Sequence, residues 1–349
     1  MYDKYKHLKS EAELSRGGDY EIFSRTVQEA DPLGFDGYIE DLVVYNDIRD
    51  VQAIEEMLYT ATAKASELLS EAKPVDALAC LRDLDFLISS LVAHGVNPFE
   101  SNRGVEAVLL ELGEIAHTVP RGTSFTYASG NPSGRRRRTF TGDAQEDIFI
   151  NAIGNSGAAI SRSLEVSSHQ EILTDMAPLI ESIEAVTSAM ISVKRSVTPE
   201  FFTGRLRSYL ELYSVGGEDY LGPGGIQTLL PVDLIVWGVD STDEEWLKFV
   251  EVNYPYLDAI QKKHLNLILE KNHGESLYTR ALASPDAELQ KGVYRCLRAL
   301  KKFRYPHRKL VEDNVKIADD NSYDDSIVGV ILRKTDTLLR DLEDTGNII

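Results

Sequence analysis

The chain has 349 residues, 43% of them apolar, with 56 acidic against 37 basic side chains and a formal charge of -19. That length allows one large domain or two modest ones with a sizeable core, and the charge argues against nucleic acid or an anionic membrane as partner, since both are polyanions. The two cysteines, Cys80 and Cys296, are far apart and lack CxxC context, which excludes a disulfide framework or a thiolate metal site.

The N-terminal MYDKYKHLKSEAEL has neither an apolar core nor a small-residue cleavage site, so it does not read as a signal peptide. No stretch approaches the roughly 18 apolar residues of a membrane span. The expectation is a soluble, cytoplasmic chain. Residues 1–48 read as irregular, with Gly17-Gly18, Asp31-Pro32 and Gly34 as turn signals. From Val51 the pattern is helical, with Ile54, Met57, Leu58, Ala61 and Leu68 at three- and four-residue spacing. Pro74 opens a second helix whose face carries Leu78, Leu81, Leu84, Leu87, Ile88 and Leu91, and Gly95 ends it. A third runs from about Val105 to His117 and stops before Pro120. Residues 120–142 read as a long loop and domain boundary, with Pro120, Gly122, Gly130, Pro132, Gly134 and the run Arg135–Arg138; Thr123–Tyr127 within it has an extended pattern. Helices resume near 144–165 and 169–196. Thr198-Pro199-Glu200 reads as an N-cap, a first-turn proline and a first-turn acid opening a helix to about Tyr213. After the glycine-rich stretch 216–225, helices are expected at 225–238, 242–252, 256–271, 285–304, 307–319 and 323–344. Little alternates with period two. The expected class is all-α, with a small helical domain over 1–134 and a large helical bundle over 135–349.

The chemistry is sparse. Seven histidines occur at 7, 94, 117, 169, 264, 273 and 307, none paired at i,i+4 and none in HExxH, so a zinc hydrolase lacks support. A single-histidine metal site remains open, and haem is the common cofactor that needs one protein ligand. His307, behind Pro306, is expected to open a short amphipathic helix and to share its face with Leu310, Val311, Asn314 and Ala318. The alternative is a buried histidine bonded to a carbonyl. Val215–Thr228 holds five glycines and a proline before an apolar helix, which suits close backbone approach to a ligand or a plain interhelical loop. It follows neither the dinucleotide nor the phosphate-loop pattern. Arg135–Arg138 reads as a solvated mobile loop or, as the minor reading, a lid over an acidic ligand. No acid/base dyad or nucleophile elbow stands out.

Three stretches in order carry a family likeness: Pro199-Glu200-Phe201-Phe202 through Arg205 to Leu210; Gly216–Gly225 followed by Trp237-Gly238; and Phe303-Arg304-Tyr305-Pro306-His307 with Lys309-Leu310. Asn131-Pro132 with Thr139–Gly142 adds a fourth. Together they resemble the haem-dependent aromatic oxygenase superfamily. The nearest branch is the monodechloroaminopyrrolnitrin synthase family, with indoleamine dioxygenase more distant.

The resemblance implies an indoleamine dioxygenase-like helical fold with haem b between a small and a large domain. It makes His307 the axial iron ligand and Arg304 the partner of a haem propionate. Gly222, Gly224 and Gly225 would border the cofactor's distal face, where Gln227 and Thr228 offer catalytic polar groups. Tyr127, Asn151 and Tyr220 would contact substrate. The implied reaction is oxidation of an aromatic amino acid, with tryptophan or an indole as the expected substrate, by dioxygen, with an electron donor or peroxide as co-reactant; a homodimer is compatible with it. Where the dioxygenases place an arginine for the substrate carboxylate, this chain has Val215-Gly216-Gly217-Glu218, so ordinary tryptophan dioxygenation is in doubt. A tyrosine-type hydroxylase, a non-catalytic haem sensor or carrier, and a helical interaction protein remain as alternatives.

Overall fold

The computed structural model describes residues 20–223, 228–238, 244–318 and 326–347. Helices come first as Tyr20–Glu29 (α1), Ile39–Ile48 (α2), Val51–Leu68 (α3), Pro74–Ala93 (α4), Pro98–Ser101 (α5) and Arg103–Ile115 (α6). Ala144–Ser168 (α7), Ala177–Ser196 (α8) and Pro199–Phe201 (α9) follow. A hairpin of Tyr213–Val215 (β1) and Glu218–Tyr220 (β2) precedes Leu230–Trp237 (α10), Glu244–Asn253 (α11), Ala259–Lys271 (α12), Leu277–Ala283 (α13), Ala287–Ala318 (α14) and Ser326–Asp344 (α15). The fold is all-α, as expected: the hairpin is the only sheet among the described residues.

The chain divides into two units. One comprises the described parts of Glu13–Gly154 and Arg195–Ile226; the other comprises Asn155–Lys194 and the described part of Gln227–Ile349. The expected boundary between residues 134 and 135 falls inside the first unit.

In the first unit α4 is the axis. Pro74 occupies its first turn, and every residue from Ala77 to Leu91 is buried. Helices α1, α3 and α6 pack around it. A helix enclosed on all sides must pair its polar groups internally. Arg82 therefore binds Asp83 at 2.7 Å and donates to the carbonyls of Val27, Gly130 and Ala30. Arg138 is equally buried and reaches Asp83 at 3.0 Å, Asp36 at 2.7 Å and Asp31 at 3.2 Å. Arg136 binds Asp36, and Arg137 binds Asp147. The arginine run is thus tied down by carboxylates, contrary to the expected solvated loop; only Arg135 of the four is exposed.

Other expectations also change. Residues 20–48, expected irregular, contain α1 and α2: Tyr20, Phe23 and Val27 form the buried stripe of α1, over less than two turns, and Ile39, Leu42 and Asn46 that of α2. Asp31-Pro32 and Gly34, at φ 66, break the chain between them. Thr123–Tyr127 is not extended: Phe125–Ser129 is a π-helical turn packed on α4. The helix opened by Thr198 does begin there, with its side chain accepting from Phe201 N at 3.2 Å. It passes into a π-helical turn at Phe202–Leu206 and a 3-10 turn at Arg207–Leu210. Helix α8 starts later than expected, because Asp175 accepts from Ala177 N at 2.9 Å.

The second unit is built on an apolar cluster that includes Leu179, Ile183, Leu234, Val236, Trp246, Leu265, Leu297, Leu300 and Leu342. Helix α10 packs on α12 and α13, and α14 packs on α13 and α15. The expected break before His307 is absent, since α14 runs 32 residues with Pro306 inside it. A proline there removes one backbone hydrogen bond and crowds the preceding turn, at a cost of about 3 kcal/mol. Val293, Cys296, Leu297 and Leu300 of α14 are fully buried, and each contributes about 1.5–3 kcal/mol. That anchorage offsets the proline.

Candidate functional site

Helix α14 turns three residues toward one place in the second unit. His307 is half-buried, and its ring stacks on Phe303 four residues earlier, with centroids 5.2 Å apart and planes 17° from parallel. Burial lowers its pKa, and the Arg304 guanidinium adds to the effect. The imidazole is therefore held neutral near pH 7, the form in which a ring nitrogen can ligate a metal. Neither ring nitrogen has a hydrogen-bond partner among the described residues.

Arg304, one turn before His307, is 5% exposed. Its Nη2 donates to Oδ2 of Asp233, which is 1% exposed on α10. Its guanidinium also lies 5.1 Å from the centroid of the Trp237 ring. Burial pushes the Asp233 carboxyl upward and Arg304 pulls it back. Three buried polar atoms in this group lack partners among the described residues: Arg304 Nη1, Asp233 Oδ1 and Trp237 Nε1. Orphans of this kind are rare in native proteins and mark a place for a water or a ligand group. Among the described residues, no group of three or more His, Cys, Asp or Glu could cage a bare metal ion. A neutral histidine beside an arginine with a spare donor fits a metal that brings its own macrocycle and carboxylates, so these residues fit haem.

The glycine-rich segment lies in the first unit and is more ordered than a plain loop. Gly216 and Gly217 take φ 62 and φ 83 at the hairpin tip, the geometry that matches strand twist. Tyr213 pairs with Tyr220 at its base. Arg121, fully buried, donates to the carbonyls of Tyr220 at 2.8 Å and Glu211 at 3.2 Å and lies 3.9 Å from the Tyr213 ring centroid. Asp85 on α4 accepts from the Tyr213 hydroxyl at 2.7 Å and pairs with Arg121 at 3.3 Å. Gly222 is required sterically: a Cβ there would collide with the Leu210 carbonyl.

The remaining sequence candidates are dispersed. Gly224, Gly225 and Gln227 lie outside the described residues. Thr228 is half-buried just before α10. Tyr127 is buried in the first unit, its hydroxyl donating to Glu146 at 3.3 Å and its ring 6.1 Å from Phe140. Phe149 and the half-buried Phe202 extend that aromatic group, Phe149 lying 6.5 Å from Tyr127 and 5.4 Å from Phe202. Asn151 is exposed and accepts from Arg137 at 2.8 Å. Tyr220 is half-buried in the hairpin, and burial raises its phenol pKa. Sequence reading named Trp237 only as part of a motif and missed Asp233, Arg121 and Asp85. Asp233 alone had a signal, as the one carboxylate in the octet LPVDLIVW.

The fold and this constellation define an all-α protein with a neutral histidine one turn from a buried arginine–carboxylate pair. The chain belongs to the monodechloroaminopyrrolnitrin synthase PrnB family, whose sequence model matches residues 39–303. Arg304 and His307 lie just past that match, so their roles rest on their own geometry. A 6-hydroxytryptophan 2,3-dioxygenase of Fusarium equiseti is 24% identical over 221 aligned residues, covering 53% of each chain. The chain thus spans about half the length of that relative. Among the described residues, no helix is long and apolar enough to cross a membrane.

Proposed function

We propose that this chain is a cytoplasmic haem-dependent oxygenase that oxidises the ring of an aromatic amino acid, tryptophan or an indole derivative, with dioxygen. The observation that carries the reading is the imidazole of His307, held neutral, with no partner for its ring nitrogens among the described residues, beside Arg304 and its spare donor. The substrate class is supported by membership of the family and by likeness to a protein named for 6-hydroxytryptophan.

His307 would hold the iron of haem b, and Arg304 would offer Nη1 to a propionate, a pairing that suits a planar guanidinium. Haem, when bound, supplies the activation of dioxygen. The chain's own residues do the positioning. Phe303 fixes the plane of the imidazole, and Asp233 and Trp237 hold the Arg304 guanidinium. Arg121 and Asp85 brace the hairpin that carries Tyr220 and leads to Gly222. Gln227 and Thr228 would supply hydrogen bonds to the reacting substrate. Phe149 and Phe202, both half-buried, offer an aromatic surface against which a ring can stack; Tyr127, packed against Phe149, and Asn151 would contact the substrate.

The test is a spectrum of the full chain purified with haem supplementation, recorded alone and with added indoles and phenols. A Soret band that is lost in His307→Ala and shifts with indoles is the expected result. No Soret band at any haem load refutes the reading. A band that no indole or phenol shifts, with no product under reducing, aerated conditions, points to a sensor or carrier instead.

A further inference from the structure

The helix that carries His307 has a charge unlike the rest of the chain. Between Leu289 and Val311 it holds eight basic residues (Lys291, Arg295, Arg298, Lys301, Lys302, Arg304, Arg308 and Lys309) and no acidic one, in a protein of net charge -19. Arg304 is buried; most of the others face solvent. They border a groove of about 1020 Å³ formed by α8, α14 and α15. Arg295, Arg298, Lys301 and Lys302 line it from α14, and Arg340 lines it from α15. Of its three acids, Asp336 is taken by Lys301 at 2.5 Å and Glu343 by the Tyr294 hydroxyl at 2.6 Å. Only Glu184 is left to balance Arg295, Arg298 and Lys302, which have no carboxylate partner among the described residues.

Unpaired like charges held together repel one another, and a patch opposite in sign to its own protein steers partners of complementary charge. At 3.6 residues per turn, Arg298 lies about 180° around the helix from His307, and Lys302 about 140°. Along the axis they are only about 8–14 Å from it. The basic face is thus the back of the helix whose other side presents the imidazole.

We propose that this face docks an acidic protein that carries single electrons and delivers them to the group held by His307. The proposal rests on the haem reading above, because an oxygenase that works with dioxygen at ferrous iron needs a reductant. The exchange balances as one electron: the carrier is oxidised by one, ferric iron is reduced by one, and no atom passes between the partners. A short acidic carrier fits an open groove with an apolar floor at Ala299 and Leu339.

The test measures binding of a plant-type [2Fe–2S] ferredoxin, an acidic one-electron carrier, to the immobilised full chain, both as purified and haem-loaded. Arg295→Glu/Lys302→Glu is compared with Arg25→Glu/Arg103→Glu, which makes the same charge change at exposed sites in the other unit. Binding should weaken about tenfold or more in the first variant, stay within about twofold in the second, and fall as salt rises. Equal loss in both variants, no binding at low salt, or displacement by single-stranded DNA or anionic vesicles in preference to ferredoxin overturns the docking face. Docking that survives while no Soret band forms overturns the electron-delivery role and the haem reading together, and leaves only an acidic-partner surface.

Discussion

Asp233→Asn and Arg304→Met remove opposite halves of one buried ion pair, and the two variants should respond differently to pH. Both side chains are shielded from water, at 1% and 5% exposure. Removing one partner of such a pair costs about 3–5 kcal/mol, because the other charge stays buried without compensation. In Asp233→Asn that charge is a guanidinium, which cannot shed its proton. The stability of this variant should therefore carry no pH dependence from this site. In Arg304→Met the stranded carboxyl can take up a proton instead. Its ordinary value is 3.8, and each unit of pH above that costs about 1.36 kcal/mol to keep it neutral. The loss is then capped at about 4.4 kcal/mol at pH 7 and about 1.6 kcal/mol at pH 5. The direction is that of a carboxyl whose folded value is raised, which loses stability as pH climbs from its unfolded toward its folded value. Urea titrations of both variants at the two pH values, with the double variant completing the cycle, measure this. The double variant should lose clearly less than the sum of the singles. A pH-independent loss in Arg304→Met, or an Asp233→Asn variant within about 1 kcal/mol of the parent, refutes the buried-pair argument.

Three further outcomes are expected. His264 is buried with Nδ1 2.8 Å from Ser168 Oγ, and burial, with Lys263 and His169, depresses it to about 4. Its contribution is complete above pH 6.5 and is lost as pH falls toward 4, about 3 kcal/mol in all; urea midpoints of His264→Gln should show a flatter acid slope. Gly222→Ala forces a Cβ into the Leu210 carbonyl and should cost about 1–3 kcal/mol in denaturant unfolding. Arg138→Met removes one of the two guanidiniums on Asp83, which is 0% exposed and keeps Arg82, and should cost about 1.5–3 kcal/mol, whereas Arg135→Met, at an exposed site, should stay within about 0.5 kcal/mol; equal effects in thermal or urea melts would contradict the ion network.

Much of the helical framework was legible in short stretches. Thr198, Pro74 and Gly95 act over one turn, and each performs its local role where it was expected. The short helices α1 and α2 were not legible, because about ten residues give too few turns of periodicity to separate a helix from a loop. Pro306 misled for a related reason. Its local preference is to end a helix, and burial contributed by residues a dozen positions away decided otherwise. The candidate site divides along the same line. His307 and Arg304 stood out in sequence as a motif, whereas Asp233, 71 residues from Arg304, became a partner only through packing of α10 near α14.

By itself the sequence determined the all-α class, most helix boundaries and the motif at His307, since periodicity, caps and turn residues act within a few positions of one another. Only the tertiary structure decided that Arg138 is buried among three aspartates, that Arg121 and Asp85 brace the hairpin, and that Arg304 faces Asp233 and Trp237. Those outcomes depend on desolvation and charge pairing between distant segments, and neither quantity exists until the chain has packed.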